Sequence, residues 1–272
     1  MEPTPAWFFS VLQTSCKPVS ESQPWTSPAY QRITLLETDS TNREALDQVR
    51  KNPCPVRVLA GTQRAGRGRR GRQWLSPIGG LYLSLGLRLP VGAVALSALP
   101  LMAAVEVAER LDHCGVIGIG IKWPNDLVTP QGKLGGILVE AVPACAGELA
   151  IAIGCGLNLS PVAPDIRAQI DQPAANLHGW AEGDRVQLAD ELAGAWLQWV
   201  NKNACAVDPN LWRRWARWDV LYRRDVIVDR DGCKYTGYAD GIDEQGRLRV
   251  VDQEGAFIID AGEVTVRRSV GS

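Results

Sequence analysis

The chain has 272 residues, 46% hydrophobic and 22% charged, and its 29 basic and 30 acidic side chains leave a formal net charge of −1. That balance excludes a protein built mainly to coat nucleic acid, which would be strongly basic, while the apolar fraction is that of a globular protein with a real core. Two histidines and seven cysteines with no C-x-x-C pair exclude a zinc framework, so the cysteines read as small hydrophobes of a reduced, cytoplasmic chain.

No run reaches the roughly 20 apolar residues that span a bilayer. The best candidate, Ala93–Leu111, is interrupted by Pro100, Glu106, Glu109 and Arg110, so no membrane partner is expected. At the N-terminus, "MEPTPAWFFSVL" lacks a basic region ahead of its apolar run and does not read as a secretory signal. Residues 1–30, rich in Ser, Thr and Pro from Thr14, are expected to form a loose leader.

Thr41 followed by Glu44 matches a capping box and opens a helix to about Lys51, ended by Pro53 and Pro55. "VRVLAGTQ" (Val56–Gln63) reads as a strand. "LYLSLGLRL" (Leu81–Leu89) alternates as a half-buried strand does. A long apolar helix is expected from about Ala95 to Cys114, stopped by Gly115. Strands then follow at "IGIGIKW", "KLGGILVEAV" and "ELAIAIGCGLNLS", with Thr129–Gly132 as a hairpin turn. Helices over Gln187–Asn203 and Pro209–Trp218 complete a first unit, residues 31–218. From Asp219 to residue 272, five short strand-like runs separated by Gly-containing turns predict a small all-β unit. The fold class is α+β.

Four stretches carry side chains with chemistry to offer. "GRGRRGRQW" (Gly66–Trp74) places four arginines and three glycines between two strands. Glycine permits close backbone approach, and arginine offers a planar fork for phosphate or carboxylate oxygens. Read alone, this block fits a nucleic-acid grip, a solvated loop, or a flap that orders over a small anion. "KWPNDL" (Lys122–Leu127) ends a strand with a cation, an indole, an amide and a carboxylate, which also suits a plain Pro-Asn-Asp turn. In "KLGGILVE", Gly135 and Gly136 interrupt a strand as they do at a bulge or beneath a bound ligand. "GCGLNLS" sets small residues ahead of Asn158.

In this order, "TDSTN", "GTQRAGRGRRGRQWLSP", "GGLYLSL", "KWPNDL", "KLGGILVE" and "GCGLNLS" resemble the biotin protein ligase family. The C-terminal run "GYADGIDEQGRLRVVDQEG" resembles that family's small SH3-like domain. The likeness spans about Leu35 to Arg268. It implies a catalytic domain related to class II aminoacyl-tRNA synthetases, with a mixed sheet and flanking helices, plus a small C-terminal SH3-like β-barrel. It further implies biotin activation by ATP to biotinyl-5′-AMP, and transfer to one lysine of a biotin carboxyl carrier protein, an acetyl-CoA carboxylase subunit.

The resemblance carries biotin-binding roles onto Ser40, Thr41, Asn42, Gln63, Arg67, Gly68, Arg69, Lys133, Gly135 and Gly136. It carries ATP-binding roles onto Arg67, Arg69, Arg72, Trp74, Lys122, Asn125, Asp126 and Asn158, with Arg69 and Lys133 as the catalytic pair and Asp126 as the candidate Mg²⁺ ligand. A monomer or homodimer is expected. Some members add an N-terminal helix-turn-helix and act as repressors. Such a module needs two packed helices, which the Pro- and Ser-rich leader does not supply, so no DNA partner is expected. Arg223 and Arg224 stand where the family pattern leads one to expect a glycine-containing turn. The rivals are a lipoate or octanoate ligase of the same chemistry, and a nucleic-acid binder working without ATP.

Overall fold

The computed structural model describes residues 30–266, excepting 93–95, 97, 146, 162–163, 165–172, 178–181, 204–209, 231 and 261. The expected leader lies outside the described residues but for Tyr30, which is buried in the core and donates its hydroxyl to the Asp190 carbonyl at 2.9 Å.

The first unit is a seven-stranded mixed sheet in the order β1-β2-β3-β7-β6-β5-β4. Its strands are β1 (Gln31–Thr38), β2 (Val56–Gln63), β3 (Leu81–Pro90), β4 (Gly120–Lys122), β5 (Asp126–Thr129), β6 (Gly132–Pro143) and β7 (Glu148–Leu157). Helix α1 (Thr41–Lys51) connects β1 to β2, which run parallel; the remaining pairs are antiparallel.

Strand alternation sorts the sheet into two faces. On one, Ile33, Val56, Val58, Ala150 and Ala152 meet Ala45, Leu46 and Val49 of α1. On the other, Leu83, Leu85, Ile151 and Ile153 join α2 (Leu99–His113), α3 (Glu182–Lys202) and α4 (Asn210–Trp218) in the larger core. Helix α1 sits close because Gly86 leaves room for it: a Cβ there would lie 2.8 Å from the Ala45 carbonyl oxygen.

Arg57, only 2% exposed, donates to Asp190 of α3 at 2.9 Å, locking the sheet to that helix. Arg214 of α4 bridges Glu106 and Glu109 of α2 at 2.6 Å each, and the Glu109 hydrogen bond leads the effects that hold its guanidinium above its ordinary pKa.

Five antiparallel strands follow, in the order β11-β10-β9-β8-β12: β8 (Asp225–Arg230), β9 (Cys233–Ile242), β10 (Leu248–Val251), β11 (Ala256–Ile259) and β12 (Glu263–Val266). Among the described residues, hydrogen bonds beside this sheet fasten it to the first. Val220 N–H donates to the Ile121 carbonyl at 3.1 Å, and the Trp123 indole donates to the Gly246 carbonyl at 3.0 Å. Val226, Val228 and Val250 belong to the same apolar cluster as α2 and α4. Arg223 adopts φ 58, the left-handed conformation for which glycine was expected.

Several boundaries differ from expectation. Strand β1 is additional. The strand expected from Ile117 shortens to β4, because Gly118 turns through φ 76 and leaves Ile117 in solvent. Strand β5 is the hairpin partner that "NDLVT" conceals. Helix α2 begins at Leu99, with Pro100 in its first turn, where a missing N–H costs nothing. The α1 cap is Ser40, whose hydroxyl accepts from Arg43 N–H, rather than Thr41. Among the described cysteines, Cys155 is buried, Cys114, Cys145 and Cys233 are exposed free thiols, and Cys54 is disulfide-bonded, against the expectation of reduced, buried thiols. Among the described residues no helix is long and apolar enough to cross a membrane.

Candidate active site

Register across the sheet builds the site. Tyr82 of β3 pairs with Gly156 of β7, Gly156 with Gly136 of β6, and Gly136 with Asp126 of β5. One row higher, Ser84 pairs with Gly154, and Gly154 with Leu138. Paired residues project to the same side, so both rows open onto the α1 face. The glycines there are vacancies for incoming side chains. A Cβ on Gly154 would lie 2.1 Å from Asn42 Oδ1, and one on Gly156 would lie 2.6 Å from Trp74 Nε1. Along this face lies a cleft of about 550 Å³.

Its polar wall is a connected chain of hydrogen bonds from the start of α1. Asn42 donates its two amide hydrogens to the Leu138 carbonyl (3.1 Å) and to Glu140 Oε2 (2.8 Å). The Ser84 hydroxyl lies 2.6 Å from Asn42 Oδ1 and 2.8 Å from Thr41 Oγ1. The Asn42 amide oxygen can only accept, so Ser84 donates to it, and the Thr41 hydroxyl lies between Ser84 Oγ and Gln63 Oε1, to which it donates at 3.2 Å. Thr41 N–H donates to Gln63 Oε1 at 2.9 Å, and Gln63 Nε2 donates to Ser76 Oγ at 2.9 Å. Asn42 thus has no hydrogen left for a ligand, whereas Gln63 keeps one.

Residues between β2 and β3 fold back over this wall as a short hairpin. Gly68 N–H donates to the Arg72 carbonyl at 2.7 Å, Trp74 N–H to the Gly66 carbonyl at 2.9 Å, and Arg67 bridges to Gln73. Gly66 is required by contact, since a Cβ would sit 2.4 Å from the Trp74 carbonyl oxygen. The turn passes through Arg70 (φ 56) and Gly71 (φ 73). The block is therefore a hairpin tethered at both ends, and Arg67 reaches across to Glu140 at 3.1 Å.

At the other end Lys133 Nζ lies 2.7 Å from Asp126 Oδ1 and 5.6 Å from the centroid of the Trp74 ring. Asn125 Nδ2 donates to the Ile137 carbonyl at 2.7 Å, and Asn158 Nδ2 to the Ala175 carbonyl at 3.1 Å. These amides brace the strand ends while lining the cleft. Gly262, Val264 and Thr265, on or just before β12, form the remaining wall. Burial pushes the Cys155 thiol far above its ordinary range, so this cleft residue is inert rather than nucleophilic.

The cleft brings together Ser40, Thr41, Asn42, Gln63, Arg67, Gly68, Arg69, Arg72, Trp74, Lys122, Asn125, Asp126, Lys133, Gly136 and Asn158. Gly135 is the exception. A Cβ on it would strike Leu157 Cδ2 at 2.4 Å, so this glycine serves the packing of β6 on β7. Sequence reasoning passed over Ser84, Glu140 and the β12 wall. A lone hydroxyl in "LYLSLGL" and a lone carboxylate in "ILVEAV" were the available signals; β12 carried none. Among the described residues Asp126 is the only carboxylate lining the cleft, against Arg67, Arg69, Arg72, Lys122 and Lys133. Among the described residues no three His, Cys, Asp or Glu side chains gather to hold a resident metal.

Residues 36–158 match the profile of the biotin/lipoate A/B protein ligase family. The chain is 36% identical over 243 residues to the biotin–[acetyl-CoA-carboxylase] ligase of Paracoccus denitrificans, covering 85% of this chain and 98% of that one. It is 35% identical over 229 residues to the bifunctional ligase/repressor BirA of Escherichia coli, covering 80% of this chain and 68% of that one. The solved biotin protein ligase from Aquifex aeolicus, in complex with biotin and ATP, matches with a TM-score of 0.70 at 25% identity, covering 90% of this chain and 100% of that one.

Proposed function

The chain belongs to the biotin/lipoate A/B protein ligase family, and from that premise we infer that it is an ATP-dependent biotin protein ligase. A biotin carboxylate oxygen attacks the α-phosphorus of ATP, the bond to the bridging oxygen breaks, and pyrophosphate leaves. The amine of a lysine on a biotin carboxyl carrier protein of acetyl-CoA carboxylase then attacks the acyl carbon of biotinyl-5′-AMP. AMP departs and the amine loses its proton.

The observation that carries this reading is the charge of the cleft: among the described residues that line it, five cations face one carboxylate, on a chain of net charge −1. A carboxylate and a triphosphate repel each other, and such an environment both gathers them and stabilises charge developing on the phosphoryl oxygens. In this reading biotin lies along the polar wall, where Ser40 and Gln63 keep hydrogen-bonding capacity. The triphosphate lies toward Lys122, Asn125 and Asp126, with Trp74 against the adenine. Lys133 stands between the two anions, and Arg69 and Arg72 close over them with the flap.

A single carboxylate suits Mg²⁺, which stays largely hydrated and rides on phosphate oxygens. Asp126 would hold it there, where it neutralises phosphate charge. The small β unit is read as SH3-like, the setting as cytoplasmic, and no DNA-binding role is part of the reading.

ATP–pyrophosphate exchange by the purified protein, with biotin, lipoate, octanoate or no acid, tests it. Exchange with biotin alone is expected. Exchange with lipoate or octanoate only would move the chain to the neighbouring chemistry, and none with any acid would sink the reading.

A further inference from the structure

Glu140 joins the two halves of the acid-binding site. Its Oε2 accepts from Asn42 Nδ2 at 2.8 Å, inside the wall, and its Oε1 lies 3.1 Å from the Arg67 guanidinium, on the flap. It stands on β6 opposite Ala152, one step along from the Leu138–Gly154 pair where Asn42 is received. The carboxylate therefore touches a rigid element and a tethered loop at once. It is itself outside the cleft lining, whereas both of its partners, Asn42 and Arg67, line the cleft.

We propose that Glu140 is the latch of the flap: a positioning residue that holds Arg67 closed over the bound acid and, through Asn42, makes closure and the orientation of the polar wall a single event. This rests on the ligase reading for its consequence, though not for the latch itself.

The two contacts differ in what they require. Asn42 needs only an acceptor, which a glutamine carbonyl supplies equally well. Arg67 is drawn by charge, which glutamine removes. Glu140→Gln thus leaves the wall in place and frees the flap, while Glu140→Ala removes both contacts and leaves one Asn42 hydrogen without its acceptor. Arg67 and Glu140 are both partly exposed, so the loss of their ion pair corresponds to about a two- to fivefold shift in flap opening.

Amide hydrogen exchange of the ligand-free chain reads the latch without reference to activity. In Glu140→Gln, residues 64–75 are expected to exchange about two- to fivefold faster than in the parent, with β3 and β7 unchanged, and Arg67→Ala added to it should produce no further acceleration. The same Gln variant should lose preformed biotinyl-5′-AMP faster than the parent, and Glu140→Ala, which also frees Asn42, should raise the biotin KM further than Glu140→Gln does. Unchanged flap exchange in Glu140→Gln, or additive effects of the two substitutions, would overturn the latch. A parent protein that fails biotin-dependent pyrophosphate exchange would instead overturn the ligase reading, and the hydrogen-exchange result would still decide the latch.

Discussion

Lys133 Nζ sits 2.7 Å from Asp126 Oδ1 while its ammonium also lies 5.6 Å from the centroid of the Trp74 ring, so one cation joins β6, the end of β4–β5 and the base of the flap. A ligand phosphate entering here competes with Asp126 for that ammonium. Replacing Lys133 by Met keeps the stem that packs beside Gly136 and removes the charge. We expect pyrophosphate exchange to fall by about 10²–10³-fold, the range for loss of one preorganised charge-stabilising donor. Thermal unfolding should move little. An exchange rate within a few-fold of the parent would remove Lys133 from the chemistry.

Arg69 lines the cleft from the tip of the flap. Arg69→Gly keeps the hairpin hydrogen bonds, which are between backbone groups, but removes a cation from the cleft. The half-life of enzyme-bound biotinyl-5′-AMP should shorten, with melting essentially unchanged. Equal retention by parent and variant would show that the flap does not hold the intermediate through this side chain.

Gly154 and Gly156 are sites where side chains from elsewhere occupy the strand surface. Gly154→Ala would place a methyl 2.1 Å from Asn42 Oδ1, and Gly156→Ala would place one 2.6 Å from the Trp74 indole nitrogen. Each should cost about 1–3 kcal/mol by overpacking. Their functional effects should separate, Gly154→Ala raising the KM for biotin and Gly156→Ala that for ATP. Chemical unfolding and steady-state kinetics check both; identical KM effects would contradict the division of the cleft.

Asp219, at the junction of α4 with the second sheet, has its carboxyl pKa raised above 3.8, chiefly by burial, with the Leu221 N–H that it accepts at 2.8 Å acting the other way. Below pH about 3.8 both folded and unfolded chains hold the proton. Above it the unfolded chain releases its proton first, so stability declines as pH rises through the folded value. Asp219→Asn preserves an acceptor for Leu221 without the charge. Its stability advantage over the parent should grow from pH 4 upward and then level, as urea unfolding across that range would register. A constant difference would mean that Asp219 is not desolvated.

Local chemistry was legible wherever neighbours in sequence are also neighbours in space. The periodicity of "VRVLAGTQ" and "LYLSLGLRL" placed β2 and β3, and the Gly-Arg block read alone already admitted a flap among its three meanings. The motif order then selected the family, and with it about half of the described residues that line the cleft. Tertiary structure decided what no local signal encodes. Gly135 and Gly136 are adjacent and identical in type, yet a strand turns them to opposite faces, so one packs on Leu157 and the other opens to the cleft. Glu140 stands 98 residues from Asn42, and only the β6–β7 register brings its carboxylate within reach. Whether a buried polar side chain binds a ligand or steadies its neighbour depends on how its hydrogens are already used. That is a property of the assembled sheet, because each partner comes from a different strand.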